Sequence, residues 1–268
     1  MFAQLGMNNP APVSGGDPLW GNVIYLLPMV DGTLGDTSYT EKVNSEAITF
    51  FGAAALSDTV GGPFGEDLAM YLPGNSSLRL GGATTHVAGW DGMFAADAEW
   101  TLEFWWYLPA ETGLTNNIFC WGNVSPSPDD VVCRILYNST NNIVQAWTTL
   151  SDGSTASTTW DADNFGGIGA HLGTWLHVHV SRVNDDFVIG VNGNNVVNEG
   201  VFSSLDIEDP SSAGWNTSPH IHADVQSGGS RLSDDLPMYM AHFRVTVGED
   251  RYGAFATYTV PDGPFPEA

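Results

Sequence analysis

From Asn22 onward the chain is cut into short apolar runs by turn residues, and almost no stretch keeps a helical period. Asn22–Met29 stops at Asp31-Gly32, Ala47–Phe51 at Gly52, Leu68–Leu72 at Pro73-Gly74-Asn75, and Trp100–Leu108 at Pro109. Ile118–Trp121 and Val131–Tyr137 flank a Ser/Pro/Asp loop, and Ile143–Thr149 stops at Ser151-Asp152-Gly153. Thr174–Arg182, Phe187–Val191, Val196–Val197, His220–Val225 and Met238–Val247 complete the series, with Asn192-Gly193-Asn194 as a hairpin turn. About a dozen strands at this spacing predict an all-β, antiparallel sandwich or barrel. Alternation supports this. Trp100, Leu102, Phe104, Trp106 and Leu108 share one face, while Thr101, Glu103, Trp105 and Tyr107 share the other. Asp91–Ala98 has room for one helical turn.

The first 19 residues differ, being rich in Gly, Pro, Asn and Ser. They predict an extended arm over 1–19, followed by one domain over 20–268. Such an arm reads either as a floppy terminus or as a segment that orders on a neighbouring subunit, in a homo-oligomer or a capsid lattice, with Met1, Phe2, Leu5 and Met7 as its contact residues. Hydrophobic residues make up 43% of the 268, enough for a large core, so global disorder is excluded. Thirty-one acidic residues face seven basic ones, a net charge of -24, and Lys42 is the single lysine. Such a surface cannot neutralise phosphates, which excludes nucleic acid and anionic lipid as partners. No run approaches the roughly 18 apolar residues of a membrane helix, and Met1–Trp20 lacks the basic and apolar segments of a signal peptide. Neither membrane insertion nor classical export is expected.

Several segments, in order, resemble the laminin-G-like, concanavalin A-like lectin/glucanase superfamily, in the version found in virion proteins of tailed bacteriophages. Asp17-Pro18-Leu19-Trp20-Gly21-Asn22-Val23-Ile24-Tyr25-Leu26-Leu27 with Asp31-Gly32-Thr33 is similar to its opening strand and turn. Phe64-Gly65 with Leu68–Leu72, Trp100–Trp105, Trp175–Arg182 and Phe187–Gly193 resemble later strands. Phe243–Gly248, Arg251-Tyr252, Phe255, Val260-Pro261 and Pro264-Phe265-Pro266 resemble the phage-type ending. Pro73, Ser76–Arg79 and Val247 depart from the pattern.

The resemblance implies a jelly-roll β-sandwich and a non-enzymatic structural protein of the virion surface: a capsid decoration or cement, or a tail, fibre or appendage component. Its partners would be other virion proteins and, on top of that, host cell-surface glycans. It would assemble in the host cytoplasm. A bacterial carbohydrate-binding module and a glycoside hydrolase with an unrecognised site are the alternatives.

Hydrolysis needs two carboxyls about 5–9.5 Å apart. The clustered acids of related glucanases have no match, and Glu99 and Glu103, at i and i+4, stand about 13 Å apart on an extended strand. Glu103, Trp105 and His177 fall on positions of the family pattern, which implies packed, hydrogen-bonded roles. Trp105 and Tyr107 on one strand face also form a candidate sugar-stacking platform. Calcium is the cofactor that the superfamily and the acidic composition imply. Asp31 and Asp36 are candidate ligands in a glycine-containing turn, which reads equally as a plain Asx turn. His177 with His179, and His220 with His222 and Asp224, have the i, i+2 spacing of a metal bracket, or of packed core histidines. Cys120 and Cys133 flank one loop, either as buried thiols or as a cross-strand bridge.

Overall fold

The computed structural model describes residues 17–81, 90–95, 97–110, 115–123, 130–207, 218–225, 231–233 and 236–266. Its strands, numbered in chain order, are β1 (Val23–Leu27), β2 (Tyr39–Thr40), β3 (Ala47–Phe51), β4 (Ala55–Ser57), β5 (Ala69–Leu72), β6 (Ser77–Arg79), β7 (Trp100–Tyr107), β8 (Thr115–Asn123) and β9 (Asp130–Asn138). They continue as β10 (Ile143–Thr149), β11 (Thr155–Asp161), β12 (Trp175–Val183), β13 (Asp186–Val191), β14 (Asn194–Asn198), β15 (His220–Ile221), β16 (Ala223–Val225), β17 (Arg231–Ser233) and β18 (Met238–Val247). Helix is confined to short 3-10 turns; Trp90–Phe94 covers part of the predicted Asp91–Ala98 turn.

The strands form an antiparallel jelly-roll β-sandwich. The first sheet runs β14-β13-β12-β7-β18-β5-β4, with β1 pairing the far end of β18. The second runs β11-β10-β9-β8-β15-β6-β3-β2, and β16 pairs β17 apart from both. Between the two main sheets lies a core rich in aromatic rings. Trp90, Trp100, Trp106, Trp121 and Trp160 are each no more than 1% exposed. They come inward because each sits on the apolar phase of its strand or on a turn facing the core. Trp90 meets Trp121 edge-on at 5.0 Å, a geometry that adds about 0.5–1.5 kcal/mol beyond burial.

The period-2 reading of β7 holds. Trp100, Leu102, Phe104 and Trp106 enter the core, and Thr101, Glu103, Trp105 and Tyr107 point outward. Asn192 (φ 45) and Gly193 (φ 87) make the β13–β14 hairpin turn, both in the left-handed region that such a turn demands. His222, at φ 62, breaks the predicted His220–Val225 run into β15 and β16.

Cys120 and Cys133 are free and buried. Cys120 stands opposite Arg134, and Cys133 opposite Trp121, so the two thiols lie on opposite faces of the second sheet and cannot bridge. Burial, and then the neighbouring Cys120, push the Cys133 thiol far above its ordinary range. Neither thiol is therefore expected to react with a disulfide reagent until the protein unfolds, and denatured protein should titrate two. Titration of a thiol in the folded protein would contradict this register.

Candidate functional site

The outer face of the first sheet divides into a covered half and an open half. After β18 the chain doubles back as a strap over residues 249–266. Gly248 N–H donates to Glu99 O (2.8 Å), Asn195 N–H to Ala256 O (3.0 Å) and Tyr258 N–H to Gly193 O (3.0 Å), so the strap is tied to the hairpin turn on the far side of the sheet. Asn195 also donates from its side chain to Gly253 O and Phe255 O.

Beneath the strap lies a buried ionic cluster. Glu103 and Asp17 are 0% and 6% exposed. Arg244 donates to Glu103 Oε1 from Nε (2.8 Å) and Nη2 (2.7 Å), and to Asp17 Oδ2 from Nη1 (2.8 Å). Arg251 grips Asp17 through two nitrogens, at 2.8 and 3.1 Å. Tyr252 OH donates to Glu103 Oε2, which also accepts from His177 Nε2 at 3.1 Å. Phe265 covers the Arg244 guanidinium, with its ring centre 3.9 Å from Cζ.

Burial pushes the Glu103 carboxyl upward. Arg244, the His177 bond and charge, and Arg251 outweigh that push and hold it well below the ordinary carboxylate range. Burial likewise lowers His177 and takes His179 down to about 3, with His177 adding to the latter. Both imidazoles are therefore neutral. His177 donates from Nε2 and takes the Tyr258 hydroxyl at Nδ1 (3.0 Å), while His179 donates from Nε2 to Asn195 Oδ1 (2.9 Å). The cluster is desolvated and its charges are paired. It locks the strap to the sheet and offers no open acid or base to a substrate.

The open half carries an aromatic row. Tyr71 on β5 lies directly opposite Tyr239 on β18, Tyr239 opposite Tyr107 on β7, and Tyr107 opposite Trp175 on β12. Directly paired residues point to the same face, and the neighbours of each ring along its strand (Met70, Leu72, Met238, Met240, Trp106, Leu176) are in the core. All four rings therefore project outward in one line across four strands. Tyr71 and Tyr239 stack at 4.8 Å, Tyr107 meets Tyr239 edge-on at 5.7 Å, and Trp175 tilts against Tyr107 at 5.5 Å. Tyr239 is buried and holds the row, while Tyr71, Tyr107 and Trp175 are half-buried.

The structure parts the Trp105/Tyr107 pair. Trp105 is 7% exposed, capped edge-on by Phe64 (5.1 Å) and packed against His177 (5.3 Å) in an apolar cluster with Phe265. The strap and the Phe64 segment close over it, so it is a packing residue. Tyr107 stays open, and its stacking neighbours are the cross-strand rings. Tyr71, Tyr239 and Trp175 are not among the sequence candidates because they come from distant segments; only the strand register aligns them with Tyr107.

The other candidates have local partners. Asp31 pairs with Lys42, and Asp36 Oδ2 accepts from Thr33 N–H at 2.8 Å, the bond of an Asx-type turn. His222 bonds the carbonyls of Ser76 (2.8 Å) and Leu236 (2.7 Å), and His220 that of Ser218 (2.7 Å). Among the described residues, no three His, Cys, Asp or Glu side chains gather as metal ligands would. Met1, Phe2, Leu5 and Met7 lie outside the described residues.

No protein-family model and no curated protein sequence matches the chain. Solved structures of like fold do exist. The receptor-binding domain of botulinum neurotoxin C/D mosaic serotype matches with a TM-score of 0.56 and 9% identity, over 84% of this chain and 48% of that one. The ligand-binding domain of botulinum neurotoxin serotype D, in complex with N-acetylneuraminic acid, matches at 0.55 and 8%, over 85% and 48%. The binding domain of botulinum neurotoxin DC in complex with rat synaptotagmin II matches at 0.53 and 13%, over 84% and 48%. The chain spans about half the length of these structures. At such identities the likeness shows the fold alone, a jelly-roll β-sandwich.

Proposed function

We propose that the chain is a non-enzymatic, glycan-binding β-sandwich displayed on the surface of a tailed-bacteriophage particle. The observation that carries the binding role is the outward row Tyr71–Tyr239–Tyr107–Trp175, aligned by strand register and held by the buried Tyr239. Flat rings with hydroxyls at their rim suit the C–H faces and hydroxyls of sugars. That domains of similar fold include a receptor-binding domain and a ligand-binding domain in complex with N-acetylneuraminic acid supports binding over catalysis. So does the ionic cluster, whose carboxylates are neutralised and covered. The virion assignment is supported by the phage-type ending: its Arg244, Arg251, Tyr252 and Phe265 act together in the strap lock.

A glycan array with the purified chain tests the binding role. Tyr107→Ala and Trp175→Ala should each weaken glycan binding about tenfold, the loss of one stacking contact of about 1–1.5 kcal/mol, in protein that circular dichroism shows to be folded. Wild-type affinity in both variants would remove the row from the site. Detection of the chain in purified particles by an antibody separates a virion component from a bacterial carbohydrate-binding module.

A further inference from the structure

We infer that the ligand of the aromatic row is a neutral, extended polysaccharide lying across the strands, with about three sugar rings in contact; this rests on the glycan-binding reading above. Direction comes first. The row places one ring on each of four neighbouring strands, so its three steps of about 4.8 Å span about 14 Å, room for about three pyranose rings. A polymer running along the strands is blocked. One residue pair inward from Tyr107 stands Trp105, roofed by Phe64 and bordered by the strap through Phe265 and Val260. On the other side the sheet ends: β7 stops at Tyr107 and β12 begins at Trp175. Among the described residues, the uncovered path runs sideways, from the Tyr71 end to the Trp175 end.

Charge then selects the class of sugar. An acidic glycan needs cations, and among the described residues none is offered at the row. Lys42 is paired with Asp31, Arg182 with Asp206, and Arg244 and Arg251 with Asp17 and Glu103 under the strap. Arg79 and Arg134 stand on β6 and β9 of the other sheet, and Arg231 on β17, which pairs with β16 outside the sheet that carries the row. The chain as a whole carries a charge of -24, which repels uronates and sulfates. Beside the Tyr71 end lie uncharged donors and acceptors. Ser57 donates to Thr59 (3.0 Å), and the Thr59 side chain bonds the Tyr239 hydroxyl. Stacking rings bordered by hydroxyls recognise neutral hydroxylated rings. The row is also preorganised, since Tyr239 is wedged between Tyr71 and Tyr107, so little ordering cost opposes binding.

The test is calorimetric titration of the full chain with cello-, xylo- and manno-oligosaccharides of two to six units, and with guluronate and galacturonate oligomers of the same lengths. A neutral series should bind at least about tenfold tighter than either acidic one, with no loss in high salt. Its affinity should rise to three or four units and then level off. Trp175→Ala should abolish the gain from the last contacting unit while leaving the dimer unaffected. Tighter binding of an acidic oligomer, lost in Tyr107→Ala, would overturn the neutral class and leave the glycan-binding row standing. A neutral series whose affinity is already complete at the dimer would overturn the crossing geometry. Failure of every probe to bind would overturn both this inference and the reading beneath it.

Discussion

Replacing Glu103 with alanine is expected to lower the unfolding free energy by about 3–5 kcal/mol, the cost of breaking a buried ion pair from one side. In the native cluster two carboxylates, Asp17 and Glu103, face two guanidiniums, Arg244 and Arg251. Removal of Glu103 leaves two buried cations sharing one anion, with the Tyr252 hydroxyl and the His177 Nε2–H also deprived of their acceptor. A loss of this size is a large part of the roughly 5–15 kcal/mol that holds an ordinary domain together. The strap should loosen first, because Arg251 and Tyr252 belong to it, so limited proteolysis within residues 249–266 should accelerate.

A second variant gives the prediction its edge. Glu103→Leu combined with Arg244→Met restores one anion to one cation, since Asp17 keeps Arg251 through two hydrogen bonds. Urea unfolding should show the double variant recovering most of the loss. If both variants unfold at the wild-type midpoint, the cluster does not hold the strap. Equal losses in the single and the double variant would instead assign the effect to packing rather than to charge.

How much of this could be read in advance depends on the scale of the signal. The strands β3, β10 and β18 match their predicted spans because each is an apolar run closed by turn residues. Thr155–Asp161 was invisible: TASTTWD at the sheet edge buries only alternate residues, so composition alone reads it as loop. The lone Cys120 and Cys133 left a bridge open until the register set them on opposite faces. Glu103 and His177 were expected in packed, hydrogen-bonded roles, and both are buried under the strap. Trp105 and Tyr107 share a strand face, as alternation requires. Which of them meets solvent depends on a strap more than 140 residues away in sequence, a contact that no local pattern encodes. The row itself needs three pairing registers at once, and a change of one residue in any of them would turn a ring into the core.

Acid should destabilise the protein in two steps, and the first should begin well above the range where carboxylates titrate. His177, His179 and His242 all sit below their ordinary value, burial being the leading cause in each case, with His179 at about 3. A histidine kept neutral in the folded chain binds its proton only on unfolding, once the pH falls below about 6.5. The unfolded state then holds more protons, so stability rises with pH and falls as pH drops. Each such histidine contributes a slope of about 1.4 kcal/mol per pH unit between its unfolded and folded values. The window from about 6.5 down to about 5.5 isolates this effect, because the many surface carboxylates are still ionised there and self-repulsion is unchanged. Below about 4.3 a second loss sets in. The unfolded Glu103 takes a proton there, while the folded carboxylate, held down by Arg244, His177 and Arg251, does not. Urea midpoints across this range should therefore fall steadily from near pH 6.5 and then more steeply near pH 4. His179→Asn, which cannot take up a proton on unfolding, should flatten the upper slope by about one histidine's share. A midpoint that stays level from pH 7 to pH 5 would show that these histidines are already charged in the fold, and would remove the neutral, strap-covered network from the structure's account.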